Sequence, residues 1–199
     1  MTVPVSAPIF AQLEQTLIGQ ALHEQMVTAT TGEDAQAQDA QAPLPLSAAR
    51  PIRSLGVQHG ILVLELLPEA LLTVAHRLRD TFGFDLFLDV TAVDWLGQTP
   101  RFEVVYHFYA TAHHVRVRLK VRVEESLPEV ETLTSLYGSA GYMERECHDM
   151  YGIVFRGNAD LRPILLYEGF VGHPLRKDYP KQQEQPLVPY RPPQSALVR

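Results

Sequence analysis

Val115-Arg-Val-Arg-Leu-Lys-Val-Arg-Val123 carries the clearest structural signal in this chain of 199 residues. Valine and leucine occupy every second position, and arginine or lysine occupies the positions between them. Because successive side chains of a strand point to opposite faces of a sheet, this alternation predicts a strand with one buried face and one basic face. The fold should therefore contain a sheet with a core on one side.

Two further strands are predicted upstream of this one. Residues 102–109 alternate in the same way, and the short link 110–114 favours an antiparallel hairpin with the basic strand. Residues 84–91 form the next candidate strand. The side chains that its alternation assigns to the buried face are Phe84, Leu86, Leu88 and Val90.

Helical signals flank these strands on both sides. An apolar run at 61–67 predicts a buried strand, and Pro68 opens a helix that Gly83 can end. Downstream, residues 127–136 are expected to form a helix with a proline in its first turn. A second helix is expected over residues 142–151, ended by a glycine.

These elements predict an α/β (α+β) fold in which a largely antiparallel or mixed sheet packs against helices in two layers, with an extended C-terminal tail. Few large apolar side chains occur between residues 28 and 49, and prolines are frequent after residue 179. The expected organisation is an N-terminal amphipathic helix (1–27), a flexible linker (28–50), an α/β core domain (51–157) and an extended proline-rich partner-binding segment (158–199).

Composition excludes several classes of protein. A net charge of −6 argues against a general nucleic-acid-binding protein. The single cysteine, Cys147, precludes an internal disulfide. No apolar run reaches the roughly 20 residues that cross a bilayer, and the N-terminus lacks the features of a signal peptide. We therefore expect no direct membrane span and no export.

The stretch 144–181 is unusual because it is dense in charge yet neutral, with six acidic and six basic residues. On the helix 142–151, Met143, Cys147 and Met150 recur at helical spacing and predict an apolar face. Glu144 with His148, and Arg145 with Asp149, are expected on the remaining surface, where exposed pairs contribute little stability. This arrangement favours ionic contacts with another protein.

Two catalytic interpretations of this stretch compete with docking. A metal site could use Glu144, Glu146, His148, Asp149 and His173, but the spacing Glu-x-x-x-His lacks the HExxH or ExxH pattern. A nucleophilic cysteine is disfavoured because Cys147 lies on the apolar face, where a packing role is the simpler interpretation.

The basic residues 116–122 could bind nucleic acid, although their own strand has no interleaved aromatic residues. Pairing with Glu103 on the neighbouring strand is the preferred interpretation. Asp89, Asp94 and Trp95 at a strand end suggest packing there rather than a pocket.

Three segments also carry a family resemblance: Glu144-Arg-Glu-x-x-Asp-Met-Tyr-Gly152, Asp160-Leu-Arg162 and Gly172-His-Pro-Leu-Arg-Lys-Asp-Tyr-Pro180. Together they resemble the signature of the thirty-kilodalton subunit family of proton-pumping NADH:quinone oxidoreductase (respiratory complex I), whose members are also called its C subunit. The stretch from Asp89 to Asp94 and the strand from Arg101 to Tyr109 resemble it too.

The resemblance implies a non-catalytic structural subunit of the peripheral arm, on the cytoplasmic side of the inner membrane. FMN, iron–sulfur clusters and quinone would be bound by partner subunits, and this chain would hold no cofactor, metal or catalytic residue. Its expected partners are the quinone-site subunit and the iron–sulfur subunits. Relatives that accept electrons from ferredoxin or hydrogen remain an alternative setting. The residues expected at the partner interface are Glu144, Arg145, Glu146, Asp149, Arg162, His173, Pro174, Arg176, Lys177, Asp178 and Tyr179.

Overall fold

A computed structural model describes residues 52–182; the predicted N-terminal helix, the linker and the last 17 residues lie outside this range. The described part begins with β1 (Ile52–Gln58), β2 (Ile61–Leu66), a 3₁₀ turn (Pro68–Ala70) and α1 (Leu71–Asp80). It continues with β3 (Leu86–Asp94), β4 (Phe102–Ala110), β5 (Val115–Val123), β6 (Glu129–Glu131), α2 (Ala140–Tyr151) and β7 (Val154–Arg156).

Five strands form one mixed sheet in the order β1-β2-β5-β4-β3. The β2–β5 pair is parallel and the other three pairs are antiparallel, including the predicted β4–β5 hairpin. Buried side chains of α1, α2 and one face of the sheet belong to a single hydrophobic core. The predicted two-layer α/β class is therefore confirmed, and within residues 52–182 no helix has the length and apolar character to cross a membrane.

The alternation in β5 is realised as predicted. Val117, Leu119 and Val121 are fully buried, whereas the basic residues between them are exposed or half-buried. On β4 the inward side chains include Phe102, Tyr106 and Phe108, which are also fully buried. The sheet centre thus consists of large apolar side chains, whose burial is the main favourable contribution to folding.

The strict alternation predicted for β3 is wrong at its start. The pairing of β3 with β4 has a register irregularity between Phe87 and Asp89, as expected of a β-bulge. As a result Phe87 is 2% exposed and Leu86 is 44% exposed. An extra residue in one strand moves the side chains on one side of the bulge to the opposite face of the sheet. The periodicity of a single sequence does not reveal such a bulge.

Two other elements also differ from expectation. The predicted helix over 127–136 is absent; instead, β6 pairs in parallel with β7, and the Thr132 N–H donates to the Arg156 carbonyl. This pairing with a distant segment overrides a weak local helix preference. The edge strand β1 is not predicted by the sequence pattern, because most of its side chains are exposed and its apolar signal is faint.

Candidate functional site

The inward face of α2 contains a carboxylate. Ala140, Glu144, Cys147 and Tyr151 follow one another at helical spacing, and the first three are buried. The predicted apolar face through Cys147 is therefore correct in part, but it is rotated toward Glu144. The expected surface position of Glu144 is wrong, since none of its area is exposed.

Glu144 accepts three hydrogen bonds inside the protein. Its donors are the Thr132 hydroxyl at 2.6 Å, the Leu133 N–H at 2.8 Å and the Asn158 side-chain amide at 2.9 Å. Burial raises the pKa of this carboxyl, and the three donors act in the opposite direction. Glu144 thus joins α2 to the segment before it and to the segment after it. Both of its carboxylate oxygens accept hydrogen bonds from this chain.

The outer side of α2 binds the segment that follows β7. We name residues 160–181 the strap. Asp149 is 4% exposed, which corrects its predicted surface position. Its Oδ2 atom accepts the N–H groups of Ile164 and Leu165 at 2.8 and 2.9 Å. The Arg145 guanidinium donates to the carbonyls of Arg162 and Pro163. These contacts hold the first half of the strap along α2.

The second half of the strap caps the C-terminal end of α2. The last carbonyls of a helix have no partner within the helix. Here the carbonyl of Asp149 lies 2.9 Å from Nδ1 of His173, and that of Tyr151 accepts from Nε of Arg176 at 2.6 Å. The carbonyl of Met150 accepts the N–H of Leu175 at 3.1 Å. One stretch of four residues therefore satisfies three successive carbonyls.

A glycine makes this close approach possible. Gly152 ends α2 in the left-handed region, with φ of +74°. A Cβ atom at this position would overlap the His173 ring and the Arg176 guanidinium. The glycine is thus required for two reasons, its backbone angle and the passage of the strap over it.

Arg101 connects the strap to the sheet. It is 3% exposed, and two of its nitrogens each donate at 2.8 Å to an oxygen of Asp94. It also contacts Asp178 of the strap at 2.8 Å and Glu125 after β5 at 2.5 Å. The N–H of Lys177 adds a bond to Asp94. We name Arg101, Asp94, Asp178 and Glu125 the Arg101 cluster.

The charges of the Arg101 cluster stabilise one another. Hydrogen bonds from Arg101 hold the pKa values of the Asp94 and Asp178 carboxyls below their ordinary range, and these carboxylates raise the pKa of Arg101. Arg176 stacks on the Phe102 ring next to Arg101, and burial lowers its pKa. Arg101, Asp94 and Asp178 therefore remain ionised at neutral pH, and their contacts fix the position of the strap.

The eleven residues predicted at a partner interface therefore separate into two groups. Arg145, Asp149, His173, Arg176 and Asp178 bind other parts of this chain, as does Glu144. Of the other five, Glu146, Arg162 and Lys177 are exposed, as Asp178 also is, and Arg162 pairs with Asp160; Pro174 and Tyr179 are half-buried within the strap. Contact of these residues with another subunit stays a prediction.

Several apolar side chains of the strap are exposed, alongside charged ones such as Arg162 and Glu168. Leu165 is 60% exposed, Val171 is 67% exposed and Leu175 is 51% exposed. Tyr167 and Ile164 are also exposed. Neighbouring exposed apolar residues of this kind are typical of a surface that another protein covers.

Neither the metal site nor the cysteine nucleophile has support in the described part of the chain. Among residues 52–182, no three His, Cys, Asp or Glu side chains are arranged to hold a metal ion. Cys147 is buried, and burial raises the pKa of its thiol. The expected pairing of Glu103 is present, with Lys120 at 3.1 Å and Arg122 at 3.4 Å.

The centre of the site was not predicted from the sequence. Its pattern places Arg101 only in a strand and Asp94 only at a strand end. Both flank the loop between β3 and β4, and the adjacent antiparallel strands bring them together. An arginine and an aspartate on either side of a hairpin loop were the available signal. No sequence signal indicated that Asp178, which lies 77 residues from Arg101, would contact it.

Comparison with known proteins identifies the family. Residues 64–185 match the family described as the 30-kDa subunit of respiratory-chain NADH dehydrogenase. The match covers more than half of the chain and includes β3 to β7, both helices and the strap. The chain belongs to this family.

Named members of the 30-kDa subunit family are similar over most of their length. The C 2 subunit of NADH-quinone oxidoreductase from Rhizobium meliloti (strain 1021) is 43% identical over 131 residues, which are 65% of this chain and 71% of the relative. The C subunit from Citrifermentans bemidjiense is 46% identical over 114 residues, or 57% of this chain and 71% of the relative.

Two solved structures share the fold of this 30-kDa subunit. The trypsin-resistant fragment of Nqo5 has a TM-score of 0.50 and 24% identity, covering 73% of this chain and 99% of the fragment. A chain of the membrane-bound sulfane sulfur reductase, an archaeal respiratory membrane complex, has a TM-score of 0.59 and 20% identity. That alignment covers 82% of this chain and 86% of the other.

Proposed function

We propose that this chain is a non-catalytic structural subunit of the peripheral arm of a proton-pumping NADH:quinone oxidoreductase. The observation that carries the proposal is the family match, which spans most of the sheet, α2 and the strap. Relatives more than 40% identical are named as the C subunit of NADH-quinone oxidoreductase. This favours NADH over ferredoxin or hydrogen as the electron donor of the complex.

In this proposal the chemistry belongs to partner subunits. FMN and iron–sulfur centres there pass electrons from NADH to quinone, and the complex couples this transfer to proton translocation. The charged motif of this chain supports such a role because its side chains hold the strap on α2 and β3 (Asp149, His173, Arg176 and the Arg101 cluster). The chain would provide a preformed docking surface.

The exposed apolar side chains of the strap are the proposed contact with the quinone-site subunit and the iron–sulfur subunits. Charged residues satisfied within one chain are poor candidates for contacts with a second, whereas Leu165, Val171 and Leu175 remain exposed. We place the chain peripherally, on the cytoplasmic side of the inner membrane.

Affinity purification from detergent-solubilised membranes tests this function. A tagged copy of the chain should copurify with the quinone-site subunit and the iron–sulfur subunits, identified by mass spectrometry. The purified assembly should oxidise NADH with a quinone acceptor, and the separated chain should not. Recovery of the chain without other respiratory subunits would contradict the proposal, and copurification with a hydrogenase would change the electron donor.

A further inference from the structure

The C-terminal end of α2 brings two basic side chains of the strap to one point. A Cβ atom built on Gly152 would lie within 2.5 Å of both Nε2 of His173 and Nη2 of Arg176. These two nitrogens are therefore no more than twice that distance apart. Both side chains are half-buried and belong to residues 173–178, which we name the clasp. The clasp thus holds an ionisable ring against a permanent cation.

Hydrogen bonding fixes which nitrogen of His173 carries the proton. Its Nδ1 atom lies 2.9 Å from the carbonyl of Asp149, and a carbonyl oxygen only accepts hydrogen bonds. Nδ1 is therefore the protonated nitrogen of the neutral ring, and Nε2 has the lone pair. A further proton taken up by the ring must bind Nε2, the nitrogen that lies beside Arg176.

The groups around His173 oppose this second proton on balance. Arg176 lies against the ring, and the centre of the His148 ring is 6.3 Å away. The carboxylate of Asp149 favours a charged ring, but its Oδ2 atom already accepts N–H groups from the first half of the strap. Burial, Arg176 and His148 outweigh Asp149, so the pKa of His173 is below 6.5 in the folded protein.

The charges on the sheet side belong to the Arg101 cluster. Arg101 and Arg176 both lie over the Phe102 ring, 4.9 and 5.1 Å from its centre. The three carboxylates of the cluster pair with Arg101. Within residues 52–182, no carboxylate forms an ion pair with Arg176. A second positive charge beside Arg176 would therefore meet repulsion without a direct acidic partner.

Two separate sets of contacts hold the strap, and His173 belongs to only one of them. The first half is bound by Asp149 and Arg145. The clasp is bound by its contacts with the last carbonyls of α2 and by the bond from the Lys177 N–H to Asp94. Residues 167–172 connect the two halves. The two sets can therefore open separately.

We propose that the clasp is an acid-sensitive fastening: a proton on Nε2 of His173 releases the clasp from the end of α2, while the first half of the strap stays bound to Asp149. Above the ordinary histidine pKa of 6.5 the ring is neutral and the clasp is closed. Below it, the open clasp, with its ring in water, binds the proton more readily than the closed clasp. One coupled proton increases opening by at most about tenfold per pH unit.

Release of the clasp has a consequence for docking that rests on the proposed function. Leu175 is an exposed apolar residue of the strap and lies within the clasp. Its displacement at acid pH would remove part of the docking surface and weaken assembly. Opening of the clasp is measured on the full chain without partner subunits, so the result does not depend on which subunits the strap contacts.

Hydrogen exchange of the full chain, followed by NMR at about pH 7.5 and about pH 5.5, tests the proposal. After correction for the intrinsic effect of pH on exchange, each N–H gives an opening constant, the ratio of open to closed states. The N–H groups of Leu175 and Lys177 report on the clasp, and their opening constants should be about three- to tenfold larger at the lower pH. Those of Ile164 and Leu165 report on the first half and should change less than about twofold.

Three variants separate the effect of the proton from that of the hydrogen bonds. His173→Asn keeps a donor for the Asp149 carbonyl but does not titrate, so the clasp should lose most of its pH dependence. Arg176→Gln keeps a donor for the Tyr151 carbonyl without the positive charge, and the pH dependence should become smaller, with the part due to burial remaining. His148→Asn is the matched control, because it changes the neighbouring ring only and should retain most of the pH dependence.

Three results would overturn the proposal. The first is a wild-type clasp whose opening constants are equal at the two pH values. In the second, the clasp keeps its full pH dependence in His173→Asn, which would assign the proton to another group. In the third, Ile164 and Leu165 open at acid pH as much as the clasp does, so that the whole strap is released together.

Discussion

At the scale of single residues, the charged motif serves mainly to satisfy backbone groups. Asp149 binds two N–H groups of the strap, and His173 and Arg176 bind carbonyls at the end of α2. Asp149 is 4% exposed, and an unpaired buried polar group costs about 1–3 kcal/mol, so the two N–H groups that it binds remove a substantial penalty. These side chains are therefore engaged in structural contacts rather than directed at a substrate.

Two replacements of Glu144 should distinguish the contribution of its charge to stability from that of its hydrogen bonds. We expect Glu144→Ala to lower the free energy of unfolding by about 2–4 kcal/mol, because Thr132, Leu133 and Asn158 each lose an acceptor. Glu144→Gln should cost less, since it keeps one carbonyl. Urea unfolding monitored by circular dichroism gives both values, and equal losses would show that hydrogen bonding is not the main contribution.

The contribution of Glu144 to stability should fall as the pH rises through the pKa of its carboxyl in the folded protein. Burial raises this pKa in the folded state, so the folded protein holds the proton more tightly than the unfolded chain. The stabilisation is fully present below the ordinary carboxyl pKa. Unfolding curves across this range should differ between wild type and Glu144→Gln, and identical pH profiles would contradict the assignment.

Gly152→Ala should loosen the strap. The residue has φ of +74°, where alanine costs roughly 1 kcal/mol, and its methyl group would displace His173 and Arg176. We expect faster proteolysis within residues 170–180, measured by mass spectrometry of the first fragments. Gly56→Ala is the matched control, because a Cβ there meets no atom within 4 Å.

At the scale of elements, α2 and the strap form one unit. The strap contains neither helix nor strand, yet it follows α2 from the contacts of Arg145 to the Arg101 cluster. Stability of the strap should therefore depend on groups in the sheet as well as on those in α2.

Removal of Arg101 should destabilise both the sheet and the strap. Arg101→Met leaves Asp94 buried without its partner, and we expect a loss of about 3 kcal/mol or more. Hydrogen exchange of the Lys177 N–H, which binds Asp94, should accelerate. Arg162→Met removes an arginine whose side chain is 84% exposed, and it should change stability little.

The contacts of His173 predict lower stability at acid pH. Burial and the nearby Arg176 lower the pKa of His173 from 6.5 in the folded protein. Below pH 6.5 the unfolded chain therefore takes up a proton that the folded chain resists, and the free energy of unfolding falls.

Urea unfolding at about pH 7.5 and about pH 5.5, on either side of the ordinary histidine pKa, should show this fall, with a smaller difference in His173→Asn. The pKa of His107 is also lowered in the folded protein. The variant His107→Gln therefore measures how much of the pH difference in stability comes from His107. An unchanged pH difference in His173→Asn would exclude His173 as a source.

At the scale of the whole molecule, the ionic contacts of the motif lie within the chain and the apolar side chains of the strap face outward. Reversing the charge of Arg145 or Arg176 should therefore affect folding first, because both bind backbone carbonyls of this chain. Assembly should instead depend on the exposed leucine and valine residues of the strap.

Leu165→Asp should reduce the amount of assembled complex on native gels without lowering the stability of the free chain. Leu127→Asp is the matched control, because Leu165 and Leu127 are 60% and 61% exposed. We expect a severalfold loss of assembled complex for the strap variant only, since aspartate disfavours a buried apolar contact. Equal assembly of the two variants would place the docking surface elsewhere.

The sequence alone determined the mixed α/β class, the strands β4 and β5, and the helix that ends at Gly152. It did so because periodicity and glycine at a helix end are local properties. Its motifs also determined the family. Only the tertiary structure decided that the motif's charges bind this chain. Whether Glu144 or Asp94 meets solvent depends on residues that are distant in sequence, and local spacing holds no information about those contacts.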